Sequence, residues 1–164
     1  MREMFEQIRK ALCVDLHVVA LSTSLIIPDI AGAMDSDDGI ANRDRYRAWY
    51  DKWMGSSCHF IDGETCYQMR CSFLHQGSVN LKNTTYKRVI FIHPAVKNLY
   101  MHCNVFNDAL NLDIGQFCLD MIGRANEWLK TVEKSDKFKK NYDKFMRTYP
   151  NGLPPYVVGI PVIS

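Results

Sequence analysis

The sequence predicts a mainly α-helical protein of one domain, with a short β-hairpin late in the chain and an extended C-terminal tail. Three observations predict it. Apolar residues recur at helical spacing through most of residues 1–77 and again over 113–147. β-Branched and aromatic residues concentrate in two short runs between 86 and 106. The last stretch, NGLPPYVVGIPVIS, within the tail 150–164, carries prolines that hold the residues before them extended. At 164 residues the chain is long enough to bury a core without metal or disulfide support. Its 47% apolar and 23% charged composition excludes a largely disordered protein. A net charge of +2 neither requires nor excludes nucleic acid, because a basic patch can sit on a nearly neutral surface.

The first helix is read from Met4, Phe5, Ile8, Ala11 and Leu12, with Glu3, Glu6, Arg9 and Lys10 between them. A second starts at Asp15, whose carboxylate can cap free amides. Pro28 kinks or ends it, since proline offers no amide hydrogen and crowds the preceding turn. MDSDDG, 34–39, reads as an exposed turn. In NRDRYRAWYDKWMG, Tyr46, Trp49, Tyr50 and Trp53 share one side of a third helix, and aromatics at that spacing are more often core than a base-stacking platform. Asp62 and Gly63 start the next helix, which runs to about Leu74 and stops near Gly77. Residues 78–85 are polar and read as a loop; YKRVIFIHP and NLYMHCNVF then read as strands pairing across Pro94 to Asn98. From Asp113, the series Ile114, Phe117, Cys118, Met121, Ile122, Ala125, Trp128, Leu129 and Val132 marks a long amphipathic helix, and a basic helix, KFKKNYDKFMRTY, follows Ser135.

The six cysteines, Cys13, Cys58, Cys66, Cys71, Cys103 and Cys118, form no CxxC pair and read as reduced, mostly buried thiols. MREMFEQIRKAL lacks the apolar run and cleavage site of a secretory signal, and both readings point to a cytoplasmic setting. The most apolar segment, Leu16 to Met34, is interrupted by His17, Ser22, Ser24, Pro28 and Asp29. That makes it a buried helix rather than a membrane span, and no membrane partner is expected.

MRCSFLHQGS, 69–78, puts Arg70 and His75 in an Arg-x4-His pattern at the end of the fourth helix. Five residues rotate an ideal helix by about 140°, so the pair converges only if the helix end relaxes or the long arginine reaches around. Together with LSTSLIIPDIAGAM, RYRAWYDKW, GETCYQMRCSFLHQGS and YKRVIFIHP, this motif resembles bacterial proteins of the HEPN type, the higher eukaryote and prokaryote nucleotide-binding superfamily. The resemblance covers most of residues 15–95 and is specific at the Arg70 to His75 segment. It implies a helical bundle that homodimerises to bring two such motifs into one cleft. It also implies a metal-independent endoribonuclease, a toxin or phage-defence effector, with Arg70 and His75 as catalytic residues. Asp29 and Tyr67 enter as binding helpers through their place in the resembling segments. RNA or a nucleotide, a second copy of the chain and an antitoxin are the implied partners. Other members are non-catalytic nucleotide- or protein-binding modules. Where the family often has asparagine or aspartate directly after the arginine, this chain has Cys71.

The implied chemistry suits these residue types. Imidazole, with a reference pKa of about 6.5, can take the proton of a ribose 2′-hydroxyl near neutral pH. A guanidinium, always charged and forked, can hold the phosphate as the 2′-oxygen attacks phosphorus. No cofactor or metal is called for. The alternative is structural: Arg70 pairs with Glu64 or Asp29, and His75 caps the carbonyls of its helix end. Cys58, His59, Cys66, Cys71 and His75 match no common zinc spacing, so no metal site is expected. His93 and His102 fall on the expected strands and read as structural residues; Lys137, Lys139, Lys140, Lys144 and Arg147 read as a solvated basic face.

Overall fold

In the computed structural model, residues 1–81, 85–94 and 100–164 are described. The protein is mainly α, as expected. In chain order come α1 (Arg2–Cys13), α2 (His17–Leu25), α3 (Ile27–Met34), α4 (Arg43–Met54), α5 (Gly63–Gln76), β1 (Arg88–Ile92), β2 (Asn104–Phe106), β3 (Ala109–Asp113), α6 (Ile114–Val132) and α7 (Asp136–Tyr142). The tail adds β4 (Thr148–Tyr149), β5 (Gly152–Leu153), β6 (Val157–Val158) and β7 (Val162–Ile163).

α6 is the spine of the body and packs against α1, α2, α3, α4 and β3. Its buried stripe is Ile114, Phe117, Cys118, Met121, Ile122, Ala125, Trp128 and Leu129, and Asp113 caps its start by accepting from the Gln116 amide at 2.8 Å. α4 buries Tyr46, Trp49, Tyr50 and Met54, so the aromatic side is core. α5 starts at Asp62, which accepts from the Thr65 amide at 2.7 Å, and ends at Gly77 in the left-handed region, φ 61°. Gly63 is required because Arg47's backbone lies where a β-carbon would stand, 2.5 Å from the carbonyl oxygen. Asn141 of α7, itself buried, donates to the carbonyls of Ala33, Met34 and Ser36 at 3.3, 3.1 and 2.7 Å, satisfying the open end of α3.

Several expectations are corrected. Asp15 does not cap α2; it sits at φ 60° in the α1–α2 turn, and the helix starts without a side-chain cap. The two expected strands do not pair with each other: β1 runs parallel to β3, register Arg88↔Ala109 to Ile92↔Asp113, and the hairpin is β2–β3. Asn107 and Asp108, at φ 50° and 59°, form its two-residue turn, a geometry their short polar side chains tolerate. The expected crossing at Pro94 to Asn98 lies largely outside the described residues, as do Lys82 to Thr84 of the expected loop. His93 and His102 flank strands rather than sit in them. The basic helix stops at Tyr142 rather than reaching 147. The tail is extended, but it pairs with itself as β4–β7 and β5–β6, with Arg147 and Ser164 exchanging backbone hydrogen bonds.

The cysteines are not all thiols: Cys58 and Cys103 are joined in a disulfide. The cysteine half of the case for a cytoplasmic setting therefore falls. Cys66 and Cys118 are buried and free, as expected, but Cys13 is exposed. One stretch, His17–Met34, is apolar and long enough to cross a membrane by length and composition; half of it is packed inside the protein, and it is divided at Ile26 into α2 and α3.

The buried acids of this core set a limit at high pH. Burial pushes the Cys66 thiol up to about 12 and the Cys118 thiol up to about 11, and it also raises the phenols of Tyr46 and Tyr50. All four give up their protons more readily unfolded than folded. Their contribution is therefore complete below about pH 8.5, the unfolded thiol value, and is lost as pH rises through the folded values. The urea midpoint is expected to be flat from pH 7 to 8.5 and to fall steadily above pH 9, with Cys66 and Cys118 unreactive to a thiol reagent until unfolding. A midpoint that holds to pH 11 would contradict this burial.

Candidate functional site

The break between α2 and α3 sets the site. Pro28 occupies the first turn of α3, where its missing amide hydrogen is harmless. Tyr46, fully buried on α4, donates to the Leu25 carbonyl at 3.0 Å and stands 3.2 Å from the Cys66 sulfur, tying the end of α2 to α4 and α5. Asp29 follows Pro28 and reaches across to α5, where its Oδ2 accepts from Arg70 Nε at 2.7 Å. Their side chains are 13% and 23% exposed, so the pair is shielded but reachable from solvent.

Arg70 Nη1 lies 3.4 Å from His75 Nε2. α5 stays helical through Gln76, so the helix end does not relax; the arginine reaches around. Guanidinium nitrogens only donate, so this hydrogen bond needs a neutral His75 that accepts at Nε2. His75 itself is exposed. The expected Arg70–His75 meeting therefore occurs, and so does the structural alternative, with Asp29 rather than Glu64 as the acid. Glu64 is taken by Arg43 Nε at 3.1 Å and Nη2 at 2.5 Å.

Burial pushes the Asp29 carboxyl above its ordinary value, against the charge and hydrogen bond of Arg70. For Arg70, burial pulls downward, but Asp29 and Cys71 outweigh it and hold the guanidinium above its ordinary value. These directions disagree on how strongly the pair favours its charged form. The contact distance decides: a guanidinium that cannot lose its proton, 2.7 Å from a carboxylate, makes the ion pair the state at neutral pH.

Tyr67 lies one turn before Arg70. Its ring is edge-on to Tyr46 with centroids 5.3 Å apart, and the Arg43 guanidinium sits 5.9 Å above it. A hydrogen bond to Cys71, with burial second, raises its phenol. The Cys71 sulfur is also 3.9 Å from Arg70 Nη1. Tyr67, Cys71, Ser72, Gln76, Asn80 and Arg43 border a groove of about 360 Å³ along this face of α5. All four residues singled out in the sequence thus lie in one neighbourhood, with Arg70 touching Asp29 and His75 directly and Cys71 linking it to Tyr67.

A larger cavity, about 540 Å³, opens between α1, α6, α7 and the tail, lined by Met4, Leu129, Phe138, Tyr142, Met146 and Ile163 among others. It shares no residue with α5 and brings no imidazole to its walls. Cys58, one member of the zinc set considered above, is consumed by the disulfide. The basic run also has local partners: Lys137 pairs with Asp37 at 2.8 Å, and Arg147 lies over the Tyr142 and Tyr149 rings. Sequence reasoning missed Arg43 and Cys71 as groove residues. For Cys71 the signal was its i, i+4 placement after Tyr67 on one helix; Arg43 comes from α4, and no local spacing ties it to α5.

Compared with family models, curated proteins and solved structures, the chain has no significant match in any of the three.

The ion pair predicts its own energetic coupling. Asp29→Asn and Arg70→Ala are each expected to lower stability by about 1–3 kcal/mol, because each leaves a shielded partner unsatisfied. The double variant should lose about 1 kcal/mol less than the sum. Strict additivity in chemical denaturation would show that the two side chains do not interact in solution.

Proposed function

We propose that the protein is a metal-independent endoribonuclease of HEPN type, with Arg70 binding the scissile phosphate and His75 moving the proton. One observation carries the reading: a guanidinium fixed by Asp29 meets an exposed imidazole at 3.4 Å, next to a groove of about 360 Å³. In the resting arrangement Arg70 Nη1 occupies the lone pair of His75 Nε2. A phosphate oxygen arriving at Arg70 draws Nη1 away and leaves Nε2 free to accept the proton of the 2′-hydroxyl. The 2′-oxygen then attacks phosphorus, Arg70 stabilises the added negative charge, and the P–O5′ bond breaks. The products are a 2′,3′-cyclic phosphate and a 5′-hydroxyl.

Attack and departure lie roughly in line on opposite sides of phosphorus, so one imidazole is badly placed to serve both. A second copy of the motif supplies the acid that protonates the 5′-oxygen. This argues for a homodimer, and Val18 and Val19 on α2 and Leu74, next to His75 on α5, are exposed apolar side chains that a second copy could cover. Tyr67 offers the groove an aromatic ring for a base, and Arg43, paired with Glu64, offers a second guanidinium for a backbone phosphate. The Asp29–Arg70 pair also supports a second reading, a non-catalytic module that binds a nucleotide or a protein, because a paired arginine can hold a phosphate without turning it over. RNA as ligand is common to both; an antitoxin partner and phage-defence role belong to the nuclease reading alone.

The test is incubation of the purified protein with mixed RNA in excess chelator. Cleavage is expected to leave cyclic phosphate ends, to spare a 2′-deoxy substrate, and to fall at least about 100-fold in Arg70→Ala and His75→Ala. Equal background in all three proteins, with RNA still bound, would replace the nuclease by the binding module.

A further inference from the structure

The bridge between Cys58 and Cys103 lies outside the Arg70–His75 site and is independent of the function proposed for it. Cys58, 3% exposed, sits in the turn between α4 and α5, where its carbonyl accepts from the Ile61 amide at 3.1 Å. Cys103 is only partly buried and immediately precedes β2. Their sequence separation of 45 encloses all of α5 and β1. The two ends of the bridge differ: one is rooted in the helical core, the other in the least secured segment of the sheet.

Three features make the Cys103 end ready to move. Its backbone is left-handed, φ 54°, a conformation that a side chain other than asparagine or aspartate adopts at a cost. β2 is a three-residue strand at the edge of the sheet, bonded among the described residues to β3 alone, and its Val105 and Phe106 are exposed. Next to it, the His102 ring is buried with neither nitrogen hydrogen-bonded among the described residues; Asp120 Oδ2 is 3.6 Å away, and the other Asp120 oxygen is taken by Gln116. A buried imidazole without a hydrogen bond favours release to water. β1 is secured separately, by its five-residue register with β3 and by Tyr86, whose hydroxyl donates to the Phe60 carbonyl at 3.0 Å.

We propose that the Cys58–Cys103 bridge is a thiol–disulfide switch: closed, it clamps residues 101–106 onto the α4–α5 turn; opened by a dithiol reductant, it frees that segment while the helical body stays folded. A thiolate of the dithiol attacks one bridge sulfur and the S–S bond breaks. The second thiol then displaces the mixed disulfide, so the two cysteines gain two electrons and two protons and the reductant leaves as a disulfide. Cys66 and Cys118, buried and held as thiols, take no part.

Hydrogen exchange read by mass spectrometry on the full chain tests this, comparing oxidised protein, protein reduced with dithiothreitol, and the Cys58→Ser/Cys103→Ser variant. In the oxidised protein, alkylation should spare both cysteines. On reduction, amides of 101–106 should exchange at least about tenfold faster, with α1, α4 and α6 changing less than about twofold, and the double variant should match the reduced protein. Alkylation of Cys103 before reduction, unchanged exchange of 101–106, or an equal rise along the whole chain would each overturn the proposal.

Discussion

The break at Ile26, where Pro28 interrupts the apolar run, is the constraint from which the site follows. An unbroken helix from His17 to Met34 would carry Asp29 onward along the axis of α2. The break instead starts α3 afresh, with Asp29 in its first turn facing α5. Tyr46 secures the joint from below with its bond to the Leu25 carbonyl. Because Tyr46 also touches Cys66, one turn before Arg70 on α5, the same buried hydroxyl sets the separation of the three helices that meet there.

From that joint the polar contacts run outward in order of decreasing burial. Tyr46 is fully enclosed, Asp29 and Arg70 are shielded, and His75 is exposed. The guanidinium is thus fixed from inside while the imidazole stands open to solvent. Beside this pair, Arg43 of α4 pairs with Glu64 of α5 and sits above the Tyr67 ring at the edge of the groove. Arg43 and Arg70 are each paired with a carboxylate, Glu64 and Asp29, and Arg70 also turns a second nitrogen to His75.

Much of the helical frame was legible because its signals are local. The aromatics of α4, the caps Asp62 and Gly77, the long stripe of α6 and Pro28 each carry their reason within a few residues. The sheet was not, because a parallel partner is chosen by tertiary packing. β3, with Ala109 to Leu112 all buried, has too little polar alternation to stand apart from the helix that follows. Asn107–Asp108 was the one local sign of the true hairpin. The disulfide joins residues 45 apart with no spacing pattern to announce it. Of the site, Arg70 and His75 were legible as types at a spacing; that a side chain could cross about 140° of helix was not, since it depends on Asp29 holding the guanidinium from another element.

Nitrogen NMR of the His75 ring, in the native chain and in Arg70→Lys and Asp29→Asn, measures the central contact most directly. If Asp29 holds Arg70 against Nε2, the native ring carries its proton on Nδ1, and both substitutions shift the Nε2 resonance. His75 ring signals that are identical in all three proteins would mean the guanidinium and the imidazole do not meet in solution, and the site described here would not exist.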